Sequence, residues 1–283
     1  MWIASLQRGQ PEPVVENIPT RGQAEVRVHE ILHGAVRAGE RALVGFDFSY
    51  GYPAGFAQAL GLGGEPWSAL WDFIASRIED HPMTNANNRF EVANEINERL
   101  GPGAASFWGR PPARSLAHLT VTRDVAYGDG GVAEWRAVES RLRAGGHRPH
   151  SVWKLLGAGS VGSQALLGIP VVRRLRRDPA LSPVSRVWPF EAGRGRDAGD
   201  PLIVHAEVWP SLEPVPDVPG LVKDAAQVST VARALRDRDH EGTIVELFDA
   251  GADHVEEGWI LGVTRPPDGG TEPDEAVTRR ARG

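Results

Sequence analysis

The stretch Arg41-Ala-Leu-Val-Gly-Phe-Asp-Phe-Ser-Tyr-Gly-Tyr-Pro-Ala-Gly55 decides how the rest of the chain is read. Ala42, Leu43 and Val44 form a short apolar run with the pattern of a buried strand, and Gly45, Gly51, Pro53 and Gly55 break it into a tight loop. Asp47 therefore stands at the carboxyl end of a strand expected at the centre of a sheet. In open α/β sheets that edge is concave and collects ligands and catalytic groups. Asp is also a common turn former, so Asp47 is open to both readings until other acids are found to meet it.

Upstream, Met1-Trp-Ile-Ala-Ser-Leu6 reads as a strand from its first residue, and Glu12 to Pro19 as a second extended piece with prolines at its ends. Thr20 and Gln23 have capping-box spacing, and Val28, Ile31, Leu32, Ala35 and Val36 follow at helical spacing. The opening is thus strand, strand, helix, then the strand that delivers Asp47.

Downstream, Phe56–Leu62 and Trp67–Ile78 read as helices, the second with Trp67, Leu70, Trp71 and Ile74 on one face. The polar segment Asn85-Ala-Asn-Asn-Arg-Phe-Glu91 leads into a helix ending near Leu100. Its Asn87, Asn88 and Arg89 are candidate substrate-binding groups, although clustered amides also stitch loops to their neighbours. Gly101 to Pro112 reads as a loop, and a further helix runs from about Ala133 to Ala144. Gly157-Ala-Gly-Ser-Val-Gly162 spells G-x-G-x-x-G. A dinucleotide site needs that motif between a strand and a helix; here the preceding piece is weakly strand-like, and Gly168 and Pro170 are expected to interrupt the helix, so a loop is the reading. Arg173, Arg174, Arg176 and Arg177 form the one dense basic cluster, read as a solvated helix face.

Pro201 to Leu212 has strand period with both faces partly apolar, and Glu207 lies near its carboxyl end. A carboxylate in such a strand is costly to bury unless a metal ion or a basic side chain such as Lys223 offsets it. Lys223–Leu235 reads as a helix, and His254–Val263 places Glu256 and Glu257 ahead of an apolar segment expected to be helical.

Composition sets the outer bounds. A chain of 283 residues with 41% hydrophobic and 24% charged residues buries a full core as one large domain or two ordinary ones. The absence of cysteine excludes disulfides and thiolate zinc sites. No apolar run is long enough to span a bilayer and no secretion-signal pattern opens the chain, so a cytoplasmic protein without a membrane partner is expected. A net charge of -6 makes any nucleic-acid surface local rather than global.

Three motifs carry a resemblance: Gly45-Phe-Asp-Phe-Ser-Tyr-Gly-Tyr-Pro53; Ala206-Glu-Val-Trp-Pro-Ser-Leu212 with Lys223; and Val255-Glu-Glu-Gly-Trp259. They are similar to motifs of an uncharacterised family of predicted nucleases with a ribonuclease H-like fold (domain-of-unknown-function family four-two-nine). The resemblance implies an α/β domain over residues 1–263, a ribonuclease H-like mixed sheet flanked by helices, with a mainly helical insertion at about 60–200. Residues 264–283, rich in Pro, Gly and charge, read as a disordered tail. It also implies a metal-dependent nuclease in which Asp47, Glu207, Glu256 and Glu257 hold Mg2+ or Mn2+, Lys223 steadies a phosphate, and nucleic acid is the partner. Hydrolysis would proceed by metal-activated water, in a two-metal site whose ions lie about 3.5 to 4 Å apart and are bridged by Asp47 and Glu207. The sequence departs from the family at its start: the strand that carries the first catalytic Asp is missing ahead of Trp2. The expectation is therefore either a chain whose true start lies upstream or an inactive relative that serves as a binding protein. A nucleotide-cofactor protein using Gly157, Gly159 and Gly162, linked to molybdopterin guanine dinucleotide or cobalamin synthesis, is the remaining alternative; oligomeric state is not readable.

Overall fold

The computed structural model describes residues 1–264 except 102, 105, 125–126, 129–130, 192–201, 217–219 and 252. The tail expected over 264–283 falls, but for Thr264, outside the described residues.

The chain opens with β1 (Trp2–Ser5) and β2 (Val14–Asn17), paired antiparallel from Trp2↔Asn17 to Ser5↔Val14. Helix α1 (Arg21–Ala38) follows. Thr20 Oγ1 accepts from the Gln23 N–H at 3.2 Å, which satisfies one orphan donor of the first turn. The reciprocal half of the capping box is not made, since Gln23 Oε1 is buried without a partner. Gly39, left-handed at φ 67°, ends the helix by donating to the Ala35 and Val36 carbonyls, a conformation glycine adopts without a Cβ penalty.

Strand β3 (Ala42–Phe46) delivers Asp47, and α2 (Phe56–Ala59), α3 (Pro66–Ala75), α4 (Arg89–Leu100), α5 (Ala137–Ala144) and α6 (Val161–Arg177) follow. Then come β4 (Ser185–Val187), β5 (Ile203–Glu207) and α7 (Lys223–Glu241). The second sheet is three-stranded and parallel in the order β3-β5-β4. The fold is thus mixed α/β, with helices between the parallel strands.

Three expectations need correction. The centre of the sheet is β5, the Glu207 strand, and β3 lies at its edge. β5 is the more apolar and more buried strand: Ile203, His205, Ala206 and Glu207 are buried, whereas β3 is at most half-buried. Gly168 and Pro170 do not break α6. Burial of Ala165, Leu166, Ile169 and Val172 outweighs the lost hydrogen bond at proline, and Gly168 admits the Phe48 ring, which a Cβ would meet at 2.4 Å. The segment from His254 to Val263 is not a helix; Ile260 forms a parallel bridge to Glu207 and Leu261 N–H donates to the Glu207 carbonyl at 2.9 Å. Trp259, Ile260, Leu261 and Val263 are buried beside the end of β5 rather than as a helical face, and Val255 is exposed.

The largest core is aromatic and belongs to the region between β3 and β4. Tyr52, Phe56, Phe107 and Trp153 pack with centroids 4.9 to 6.5 Å apart. This cluster runs from Tyr50 to Phe190, so the loop that follows Asp47 is fixed by the residues of the insertion. A second cluster, around Val138, Ala206 and Ile260, closes the other side of β5, and Leu32, Leu181 and Ile203 form a third at the amino edge of the parallel strands. No described helix is long and apolar enough to cross a membrane.

Candidate functional site

At the carboxyl edge of the parallel sheet, Phe46 pairs with Glu207, and Asp47 lies one residue beyond that pair. The loop after it is buried through Ser49, Tyr50, Gly51, Tyr52 and Pro53. A Cβ on Gly51 would stand 2.2 Å from the Glu257 carbonyl oxygen, so this contact requires glycine. Trp71 Nε1 holds the Tyr50 carbonyl at 2.7 Å.

Glu207 is fully committed to protein groups. Its Oε1 accepts from Arg136 Nη2 at 2.6 Å, and its Oε2 from Arg136 Nη1 at 2.8 Å and Tyr50 N–H at 2.9 Å. Arg136, with no exposed side-chain surface, is also held by Glu139 at 2.5 Å and donates to the Glu257 carbonyl at 3.2 Å. Burial by itself would lower the Arg136 guanidinium, but Glu139 and Glu207 hold it well above its ordinary value. The offset that the sequence demanded for a buried Glu207 is supplied by an arginine 71 positions upstream rather than by Lys223.

The terminal acids are committed too. Glu257 Oε1 accepts from Ala54 N–H at 2.7 Å, and its Oε2 from Ala137 N–H at 2.8 Å, satisfying the first turn of α5. Glu256 Oε1 accepts from Gly55 N–H at 2.8 Å. These two carboxylates tie the loop after β3 to the last described segment. Lys223 is exposed at the first residue of α7 and is not part of the cavity lining.

Asp47 is different. Among the described residues its carboxylate has no hydrogen bond or ion pair, and it keeps a water-accessible face. Burial first, then the Glu207 and Asp224 charges, push its carboxyl up to about 6. It borders a cavity of about 530 Å³ between β1, β3, α1 and α6, floored by Val28, Leu167 and Val171. Asn85, Asn87, Arg89 and Arg21 line the same cavity. Arg21 is spent in a bidentate pair with Asp80 at 2.5 and 2.6 Å. Arg89 is not: it donates to Ser163 Oγ at 2.8 Å and Asn87 Oδ1 at 2.7 Å, and it has no carboxylate partner among the described residues. Burial, then Arg21 and Arg114, depress its guanidinium below the ordinary value. Asn87 thus orients Arg89, with its amide nitrogen turned to the Asn85 carbonyl at 2.8 Å. Asn88 is a structural stitch, accepting from Glu79 N–H at 2.9 Å and donating to the Arg77 carbonyl at 2.8 Å.

The structure therefore brings Asp47, Asn87 and Arg89 to one cavity and spends Glu207, Glu256, Glu257 and Asn88 elsewhere. Sequence reading missed Arg136 and Asp224. An Arg-x-x-Glu spacing at the start of α5 was the only local sign of Arg136, and nothing local tied it to Glu207.

The remaining motifs resolve into packing. Gly157 and Gly159 have positive φ in a turn before α6; a Cβ on Gly159 would meet the His150 ring at 2.3 Å, and one on Gly162 the Val152 carbonyl at 2.5 Å. The N–H groups of Gly162, Ser163 and Gln164 are taken by Lys154 and Ser160 carbonyls, so a phosphate would have to displace bonds already made. Arg173 and Arg177 share Asp72, Arg174 pairs with Glu25 and Arg176 with Glu191, so every arginine of the cluster has a carboxylate partner and one net positive charge remains. Compared with protein-family models, curated proteins and solved structures, the chain matches none.

Proposed function

We propose that the cavity beside Asp47 is a phosphate-ester site and that the protein is a metal-dependent phosphodiesterase of ribonuclease H-like type acting on nucleic acid. The observation that carries this reading is the pairing, in one cavity, of an unpartnered carboxylate crowded by other acids with an arginine that lacks a carboxylate. A carboxyl whose ionisation is resisted first by burial and then by neighbouring acids gains from a cation, and a half-buried guanidinium without a carboxylate partner gains from an anion. A phosphate ester accompanied by Mg2+ or Mn2+ supplies both.

A two-ion site does not fit these residues, because Glu207, Glu256 and Glu257 are engaged by Arg136 and by backbone N–H groups. A single ion fits Asp47. When bound, such an ion acidifies a water ligand and neutralises developing phosphoryl charge. Asp47 would hold such a cation and Arg89 a phosphate oxygen, with Asn87 fixing the guanidinium's direction. The cavity also lies between β1 and β3, each of which pairs on one edge only among the described residues.

The saturation of Glu207 favours a second reading, a protein that binds a phosphate-bearing ligand without cleaving it. One experiment separates the two. Labelled single- and double-stranded DNA and RNA are incubated with the protein and Mg2+ or Mn2+, and binding and cleavage are followed in parallel. Cleavage abolished by chelator and by Asp47→Asn supports hydrolysis. Binding weakened by Arg89→Ala, with no cleavage under any condition, supports the second reading. Cleavage that survives Asp47→Asn sinks the site.

A further inference from the structure

We propose that His29, His33 and Asp178 form a binding site for a transition-metal ion of the zinc class, clipping α1 to the end of α6. His29 and His33 are four residues apart on α1 and project from the same face, with ring centroids 4.1 Å apart. Asp178 is the C-terminal cap residue of α6. His29 Nε2 lies 3.0 Å from Asp178 Oδ2, and His33 Nε2 lies 3.3 Å from Oδ1. One ligand atom from each residue falls within 4.8 Å of the others. Tetrahedral zinc with bonds of about 2.0 to 2.2 Å spaces its ligand atoms roughly 3.4 Å apart, so small side-chain adjustments close the site.

Two further observations point to an ion rather than to a simple His–Asp pair. His33 Nε2 is buried and makes no hydrogen bond, even though a carboxylate oxygen lies 3.3 Å away, which leaves a ring nitrogen unpartnered within the cluster. Asp178 Oδ1 is fixed by the N–H groups of Ala180 at 2.9 Å and Leu181 at 3.1 Å, which orients Oδ2 as the third ligand. Backbone donors holding a carboxylate in this way are the outer support that metal sites use. Two imidazoles and one carboxylate favour Zn2+, Co2+ or Ni2+ over Mg2+, and three protein ligands leave a position for water.

This site does not depend on the cavity reading. His33 follows Leu32, which packs with Leu181 and Ile203 at the amino edge of the parallel strands, away from Asp47. The ion would join α1 to the turn that precedes β4.

The test uses untagged, metal-stripped protein titrated with Zn2+ by calorimetry and with Co2+ by visible absorption. One ion per chain is expected, with cobalt bands of a four- or five-coordinate site. His29→Gln/His33→Gln and Asp178→Asn should each weaken binding at least about tenfold, while His240→Gln, at an exposed position near the end of α7, leaves it unchanged. Zinc should raise the thermal midpoint of the parent protein and not that of the double variant. Failure of the parent chain to bind a stoichiometric ion overturns the proposal, whatever the variants do. So does stoichiometric binding that persists in the folded His29→Gln/His33→Gln protein.

Discussion

Two acids at adjacent strand ends, Glu207 and Asp47, have opposite fates. Glu207 is buried against Arg136 and the Tyr50 N–H, and both of its carboxylate oxygens are taken by protein donors. Asp47, one residue past the pairing partner of Glu207, has water on one side and no partner among the described residues. The difference teaches that an acid at the carboxyl edge of a sheet is not thereby a ligand. What distinguishes a site from a brace is whether the fold itself has already satisfied the charge.

The sharpest way to break the comparison is Arg136→Met. It leaves Glu139 and Glu207 buried without their shared cation, and a loss of about 3 to 5 kcal/mol is expected in denaturant unfolding. Replacing Arg136, Glu139 and Glu207 together by apolar residues of similar size should recover most of that loss, because the buried triad gains little over hydrophobic packing. A single-variant cost under about 1 kcal/mol would mean that Glu207 is not held as described. Next in size is Gly51→Ala. Its Cβ would collide with the Glu257 backbone, and a cost of about 2 to 3 kcal/mol is expected because a backbone neighbour cannot turn aside.

Much of the frame was legible in the sequence, and the reasons are local. Thr20, the apolar stripe of α1 and Gly39 fix a helix by short-range chemistry, and Ala42–Val44 reads as a strand from its apolar run and Pro201–Leu212 from its alternation. The order of those strands was not legible, because it depends on pairing residues about 160 positions apart. The same distance hid the role of Glu207: the sequence showed that a buried acid needed a cation and offered Lys223, the nearest basic residue downstream, whereas the fold supplied Arg136. Asn87 and Arg89 were singled out as part of a polar cluster at a helix start, and the fold places both at the cavity that Asp47 borders. Asn88 was included on the same signal although its amide closes a turn. α6 was misread because proline and glycine rules describe an isolated helix, and this one is enclosed by the core.

Asp47→Asn probes the other acid. Its folded carboxyl titrates near 6 against an ordinary 3.8, so ionising it is harder in the folded state than in the unfolded one. The sign follows: the penalty is absent below the unfolded value, grows as pH rises between the two, and is complete above the folded value. The variant should therefore match the parent protein at pH 3.5 and exceed it in stability at pH 7.5. Because water reaches the side chain, the gain should be roughly 1 kcal/mol or less. A divalent ion bound at Asp47 would stabilise the parent protein and not the variant, narrowing the gap. Equal stability of the two proteins at both pH values, without ions, would show that Asp47 is not crowded.

Arg89→Ala gives the smallest expected change in stability, within about 1 kcal/mol, since it removes hydrogen bonds to Ser163 and Asn87 but strands no buried charge. Its effect should fall on the ligand instead. If Arg89 contacts phosphate, the variant's affinity for an oligonucleotide drops and the slope of log affinity against log salt becomes shallower by about one charge. Arg174→Ala, which removes a guanidinium already paired with Glu25, should leave that slope unchanged. If the two variants shift the slope equally, the oligonucleotide is reading diffuse surface charge, and the unpaired state of Arg89 has no bearing on where it binds.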